Sequence, residues 1–187
     1  YRGRRVRAGA VVYIAGEGQS GFKKRKAAWS QAMQPVDPPF YLIGEPVNLI
    51  GHHSQLIADI ERAHVAPSLV VLDTLNRTLV GSESRDEDMA AYIAASDAIR
   101  DQFKCCVLII HHCGLDGSRP RGHSSLTGAA DAQFSLTKGT DGLIAVTAEY
   151  MKDGPEGDVT QSRLRTVEVG VDDDGDPITS CVIEPAD

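Results

Sequence analysis

Leu69–Arg77, LVVLDTLNR, constrains the fold of this chain more than any other stretch. Leu69, Val70, Val71 and Leu72 show no polar alternation, the pattern of a strand covered on both faces inside a parallel sheet. Asp73 stands where that strand ends. Taken alone, the stretch favours Asp73 as a cap on the following turn, together with Thr74. Two other stretches end in the same way, however. Val11–Ala15 (VVYIA) runs into Gly16-Glu17-Gly18, and Cys106–Ile110 (CVLII) runs into His111-His112. Three buried strands ending in Glu, Asp and His place polar groups along one edge of a sheet. Ligands of open α/β sheets collect outside the carboxyl ends of the strands.

The 187 residues suffice for one α/β domain with its own core. Hydrophobic residues make up 42% and charged residues 24%, so an extended or disordered chain is not expected. The apolar runs are strand-sized, far short of the ~18 residues that span a membrane. A net charge of −7 excludes a general polycation, so contact with nucleic acid requires local basic patches. Arg2, Arg4, Arg5 and Arg7 form one candidate, and Lys23, Lys24, Arg25 and Lys26 another. Cys105, Cys106, Cys113 and Cys181 contain no C-x-x-C and do not form a disulfide framework. That usage, with no signal peptide visible, predicts a reduced, cytoplasmic protein.

The chain alternates strand and helix through its first two-thirds. Helices are expected over Phe22–Met33 and Ser54–His64. A third should open at a capping box, Ser84-Arg85-Asp86-Glu87, and run to about Phe103. Phe40–Ile43 is a short strand, and 76–88 a polar loop. Beyond Leu126–Ala130, one helical turn, only strands are expected: Ala132–Thr137, Leu143–Tyr150, Arg163–Gly170 and Ile178–Ile183. The DDDGD stretch at 172–176 is turn chemistry, since the bidentate Glu of a Ca2+ loop is not at the required spacing. A single domain over 1–187 is expected, with a mostly parallel sheet flanked by helices and extended by C-terminal antiparallel strands.

Metal-assisted phosphoryl transfer needs an acid near Mg2+, a group that orients the attacking water, and a sensor of the γ-phosphate. Asp73, Glu17, and His111 or His112 supply those types. A zinc site built from His52, His53, His111, His112, Cys113 and His123 matches no zinc spacing. The ordered set YIAGEG (13–18), GFKKRKAAW (21–29), LVVLDTLNRTLVG (69–81), VLIIHHCG (107–114), RGHSSLTGAAD (121–131) and MKDG (151–154) resembles the RecA-like P-loop ATPases. Within them it resembles the RepA-type hexameric replicative helicases of plasmids and phages.

The resemblance implies an ATPase and DNA helicase that uses ATP and Mg2+, binds single-stranded DNA and assembles as a homo-oligomeric ring, expected to be a hexamer. It implies Glu17 as the residue that activates water, Asp73 near Mg2+, and Thr74 beside the nucleotide. It also implies His111 or His112 as sensor, with Arg121 and Lys152 reaching across a subunit boundary. Two positions depart from the family. Tyr150 stands where the paired-basic motif usually starts with a basic residue, and Leu115 where the sensor motif is often followed by Lys. The sequence contains no G-x-x-x-x-G-K-[ST]. With Tyr1 rather than Met at its start, the chain is expected to begin after the P-loop strand and helix and to be inactive alone. A ring-forming or nucleic-acid-binding relative without a P-loop is the alternative.

Overall fold

The computed structural model of the chain describes residues 3, 5–33, 39–45, 47–113 and 124–186. The elements run β1 (Ala10–Ala15), α1 (Gln19–Met33), β2 (Phe40–Ile43), α2 (Leu49–Arg62), β3 (Pro67–Asp73), α3 (Leu75–Thr78), α4 (Asp86–Phe103) and β4 (Cys106–Ile110). Next come α5 (Ser125–Ala129), β5 (Ala132–Lys138), β6 (Ile144–Met151), β7 (Val159–Val171) and β8 (Pro177–Pro185). They fall into two compact units. One holds Gly3–Gln19 and Asp37–Ala129, the other Ser20–Val36 and Ala130–Asp187.

In the first unit four strands pair in parallel in the order β2-β1-β3-β4. The register sets Ala15 opposite Asp73, and Asp73 opposite Ile110. Val12 and Ile14 of β1 and Val70 and Leu72 of β3 share a face, two residues apart along each strand. They join Leu49, Leu56 and Ile60 of α2 and Met89, Tyr92, Ala95 and Ile99 of α4 in one core. Val71, between Val70 and Leu72, is buried as well, as expected for a strand covered on both faces. The helices pack by their 3.6-residue stripes. Ser96 lies in the α4 stripe and donates its hydroxyl to the Tyr92 carbonyl at 3.0 Å, which lets a polar side chain stay buried.

The structure departs from the sequence-based expectation at several points. The helix predicted from Ser54 starts at Leu49, because the Asn48 side chain accepts the Gly51 N–H and caps it. The helix after Glu17 starts at Gln19 rather than Phe22, and it leaves Trp29 partly exposed with Ala28 buried. The Ser84 capping box does not form. Arg85 occupies the N-cap of α4 without a side-chain cap bond, and Asp88 closes the turn by accepting the Ser82 N–H at 2.8 Å. The 76–88 stretch, expected as a loop, opens inside α3, with Leu75, Thr78 and Leu79 buried. Finally, among the described residues β4 pairs only with β3, and its central Leu108 is 43% exposed rather than buried.

In the second unit β5, β6, β7 and β8 pair antiparallel in chain order and form a sheet of their own. The 172–176 stretch is the expected hairpin turn between β7 and β8. The Asp172 carboxylate accepts the N–H groups of Asp174 and Asp176 at 3.0 and 2.9 Å, an Asx-type closure. Among the described residues no helix is long and apolar enough to cross a membrane. All four cysteines are free thiols.

One buried polar pair joins α3 to α4. The hydroxyls of Thr78 and Tyr92 lie 2.7 Å apart, and Thr78 also donates to the Thr74 carbonyl at 2.9 Å. Burial pushes the Tyr92 phenol up to about 12, against about 10 in an unfolded chain. Between those values the native state keeps a proton that the unfolded state has lost. This contribution to stability is therefore complete below about pH 10 and falls away as pH rises through about 12. Tyr92→Phe should cost about 1 kcal/mol near neutral pH through the lost hydrogen bond. It should also lose less further stability on going to about pH 11 than the parent protein does. Urea unfolding at both pH values measures this, and an equal alkaline decline in the two proteins would contradict it.

Candidate functional site

The parallel register brings the three strand ends to one sheet edge. Because Ala15, Asp73 and Ile110 are in line, the residues just beyond them, Glu17, Thr74 and His111-His112, leave the sheet side by side. The β1 turn is held close to β3. The Gly16 N–H donates to the Asp73 carbonyl at 2.5 Å, and the Gln19 side chain donates back to the Ala15 carbonyl at 2.8 Å. Gly18, at φ +64°, takes the left-handed conformation that the turn to α1 requires. The Asp73–Thr74 peptide is cis.

Glu17 is the best-connected carboxylate of this edge. Its Oε1 accepts from Arg77 Nε at 3.1 Å and from the Thr74 hydroxyl at 3.2 Å. Thr74 sits at the N-cap of α3, but its side chain makes no capping bond and turns to Glu17 instead. The hydrogen bond from Arg77 holds the Glu17 carboxyl below the usual carboxylate range. Thr74 and a smaller electrostatic pull from His112 act in the same direction against partial desolvation. Asp73, at the end of β3, accepts the Tyr13 hydroxyl on Oδ2 at 2.5 Å. Tyr13 lies two residues before Ala15, on the strand that pairs with Asp73, so its phenol reaches along the sheet to the acid.

Of the other expected site residues, His111 is half-buried and His112 exposed at the end of β4. Lys152 belongs to the second unit. It lies just past β6 and donates its Nζ to Asp131 at 3.2 Å, while its N–H meets the Asp131 carbonyl at 2.9 Å. That carboxylate raises the Lys152 pKa, mainly through the hydrogen bond. Both side chains are exposed, and an ion pair of this kind contributes little to stability. Arg121 lies outside the described residues.

Two residues join the site that the sequence reading did not single out. In the sequence Tyr13 is simply part of the apolar VVYIA strand, with no local sign of its partner Asp73. Arg77 closes the LVVLDTLNR stretch with no motif of its own. Its spacing from Thr74, one helical turn, was the signal available.

The donor set suits the Mg2+ side of a nucleotide site. Mg2+ prefers oxygen ligands and is commonly held by one or two carboxylates together with phosphate oxygens and water. Asp73 and the Thr74 hydroxyl offer oxygens of that kind at the sheet edge, with the Glu17 carboxylate beside them. Among the described residues no group of three or more His, Cys, Asp or Glu forms a metal cage. A phosphate cradle of the P-loop type is not encoded in these 187 residues.

The backbone of Gly16 and the stem of Arg77 are in such close approach that a Cβ on Gly16 would meet Arg77 Cβ at 2.4 Å and the Asp73 carbonyl oxygen at 2.9 Å. Gly16→Ala must therefore push the β1 turn away from β3. We expect a loss of about 1–3 kcal/mol, the usual range for overpacking, read as a lowered urea midpoint. An unchanged midpoint would show that the turn is free to move.

The comparisons with known proteins bear on the fold and the family. No curated protein sequence matches the chain. Among solved structures, a RadB recombinase superposes with a TM-score of 0.59 at 18% identity, over 84% of this chain and 76% of its own. A DnaB-like replicative helicase, described with its interactions with primase, superposes with a TM-score of 0.64 at 13% identity. That match covers 84% of this chain, which spans half of the helicase's length. These likenesses establish the RecA-like fold. Residues 2–118, more than half of the sequence, match the family described as AAA domain, and the chain belongs to that family.

Proposed function

We propose that this chain is part of an ATP-hydrolysing nucleic-acid motor, a replicative DNA helicase of the RepA type. The observation that carries the reading is the convergence of Glu17, Asp73-Thr74 and His111-His112 on the carboxyl edge of one parallel sheet. Membership of the AAA domain family supports an ATPase ancestry. The likeness to a DnaB-like helicase supports DNA as track and a ring as the working assembly. The exposed Lys23, Lys24, Arg25 and Lys26 of α1 offer cations to a phosphate backbone despite the acidic chain.

Bound Mg2+ would supply charge stabilisation at the phosphates, with Asp73 and Thr74 as the residues that hold it. Glu17 accepts a proton from the attacking water as the water oxygen bonds to the γ-phosphorus and the bond to the leaving diphosphate breaks. Asp73 is kept in place by Tyr13. His111 or His112 reads the γ-phosphate, and Arg121 and Lys152 act on the nucleotide of a neighbouring subunit in a hexamer. The protein works in the cytoplasm, where thiols stay reduced.

In the full-length protein, Glu17→Gln should keep ATP affinity and lower turnover by roughly 10²–10⁴, the usual contribution of a general base. Asp73→Asn should shift the Mg2+ dependence of both binding and turnover to higher concentration. Normal turnover in the first variant would make Glu17 a turn residue, and an unchanged Mg2+ titration would remove Asp73 from the metal. Binding of single-stranded DNA with no hydrolysis in the parent protein would favour the non-catalytic relative.

Ring action has its own test. Arg121→Ala should bind nucleotide normally and lose turnover by roughly 10³–10⁵, as expected when an arginine acting in trans is removed. Mixed with Glu17→Gln subunits it should regain activity, because some interfaces then pair an intact Glu17 with an intact Arg121. No recovery, while subunits exchange measurably, would rule out the trans role.

A further inference from the structure

We propose that Arg77 is a positioning residue for hydrolysis: with Thr74 it occupies Oε1 of Glu17 and so presents Oε2 to the attacking water. The inference rests on the ATPase reading above and adds a residue that reading does not need.

Three observations carry it. First, both donors go to the same oxygen: Arg77 Nε at 3.1 Å and the Thr74 hydroxyl at 3.2 Å both meet Oε1. A carboxylate held on one side in this way keeps its other oxygen in a defined direction. Second, the Arg77 stem is located by backbone packing rather than by the ion pair alone. Its Cβ lies 2.4 Å from where a Gly16 Cβ would stand, so only glycine at the residue before Glu17 lets the arginine approach. Third, the pair is too exposed to serve stability. The Arg77 and Glu17 side chains are 59% and 37% exposed, and ion pairs in that setting contribute about 0–1 kcal/mol.

The electrostatic surroundings are local. Arg77 and Thr74 face Glu17 from the segment that follows β3, and His112 acts on it from beyond β4. Asp73, also on β3, has its carboxylate on Tyr13. A Glu on a glycine-rich turn would otherwise sample many rotamers, and fixing a side chain of this length costs up to about 2 kcal/mol. Arg77 meets that cost before the reaction begins. In the step itself the water oxygen bonds to the γ-phosphorus and the bond to the diphosphate breaks. The water proton passes to Oε2, and no redox partner is involved. Arg77 donates its hydrogen bond throughout and exchanges no proton.

The test uses the full-length protein with Arg77→Ala, Arg77→Lys and Glu17→Gln in parallel. Arg77→Ala should lower kcat by about 10- to 100-fold, part of the contribution of a positioned base, with KM for ATP nearly unchanged. Methylguanidinium added to the assay should restore part of the rate of Arg77→Ala and none of the rate of Glu17→Gln. Arg77→Lys keeps the stem and the charge without the planar fork and should fall between parent and Arg77→Ala. A purely structural role would produce no such rescue. Normal or raised kcat in both Arg77 variants, with Glu17→Gln inactive, would overturn the inference and leave the ATPase reading intact. So would a low kcat that methylguanidinium and Arg77→Lys both fail to recover. Parent-level turnover by Glu17→Gln would overturn both together.

Discussion

The alignment of Ala15, Asp73 and Ile110 across three parallel strands is the constraint on which the rest of the site depends. Each partner in a parallel ladder is fixed by backbone hydrogen bonds, and a strand advances about 3.3 Å per residue. A slip of one residue between β1 and β3 would move Glu17 by that distance from Thr74 and Arg77. It would also exchange the faces of every side chain on the strand. Val12 and Ile14 would then leave the core that α2 and α4 complete. The apolar packing that excludes water from one side of the sheet is thus the same packing that sets the polar residues at its end.

At that edge the individual interactions are modest and their geometry is specific. The Glu17–Arg77 pair is exposed, and the Asp73–Tyr13 bond spans neighbouring strands. Each acid receives its donor from an element other than its own, so the two carboxylates are oriented by the sheet and by α3 rather than by their own turns. Gly16 makes this possible. A residue without a Cβ lets the β1 turn lie against the start of α3, and the Gly16–Asp73 backbone bond closes the contact.

Much of this was legible in the sequence because buried parallel strands leave a strong local signature. CVLII at 106–110 and the run closing at Asp73 gave their strands directly, and the acids and histidines at their ends gave the edge. What was not legible depended on contacts between distant residues. Tyr13 and Asp73 are 60 positions apart, as are Glu17 and Arg77, and nothing in either short stretch announces the partner. Helix starts were missed where capping chemistry was ambiguous. Asn48 caps α2 through Gly51, whereas the Ser84 box yielded to Asp88, which reaches back to Ser82. The exposure of β4 was hidden because its composition matches that of β3, and only the strand order separates an inner strand from an outer one.

The hydroxyl pair of Thr78 and Tyr92 has a consequence for motion. A four-residue helix such as α3 cannot sustain itself in water, since helix nucleation is costly and one turn returns little. Left to itself it would fray on its own, faster than anything around it. Tied through Thr78 to the fully buried Tyr92, its amides should instead open together with the middle of α4. Among the described residues, the shortest helix of the first unit is thus tied to the longest, and it carries Arg77 with Thr74 at its N-cap.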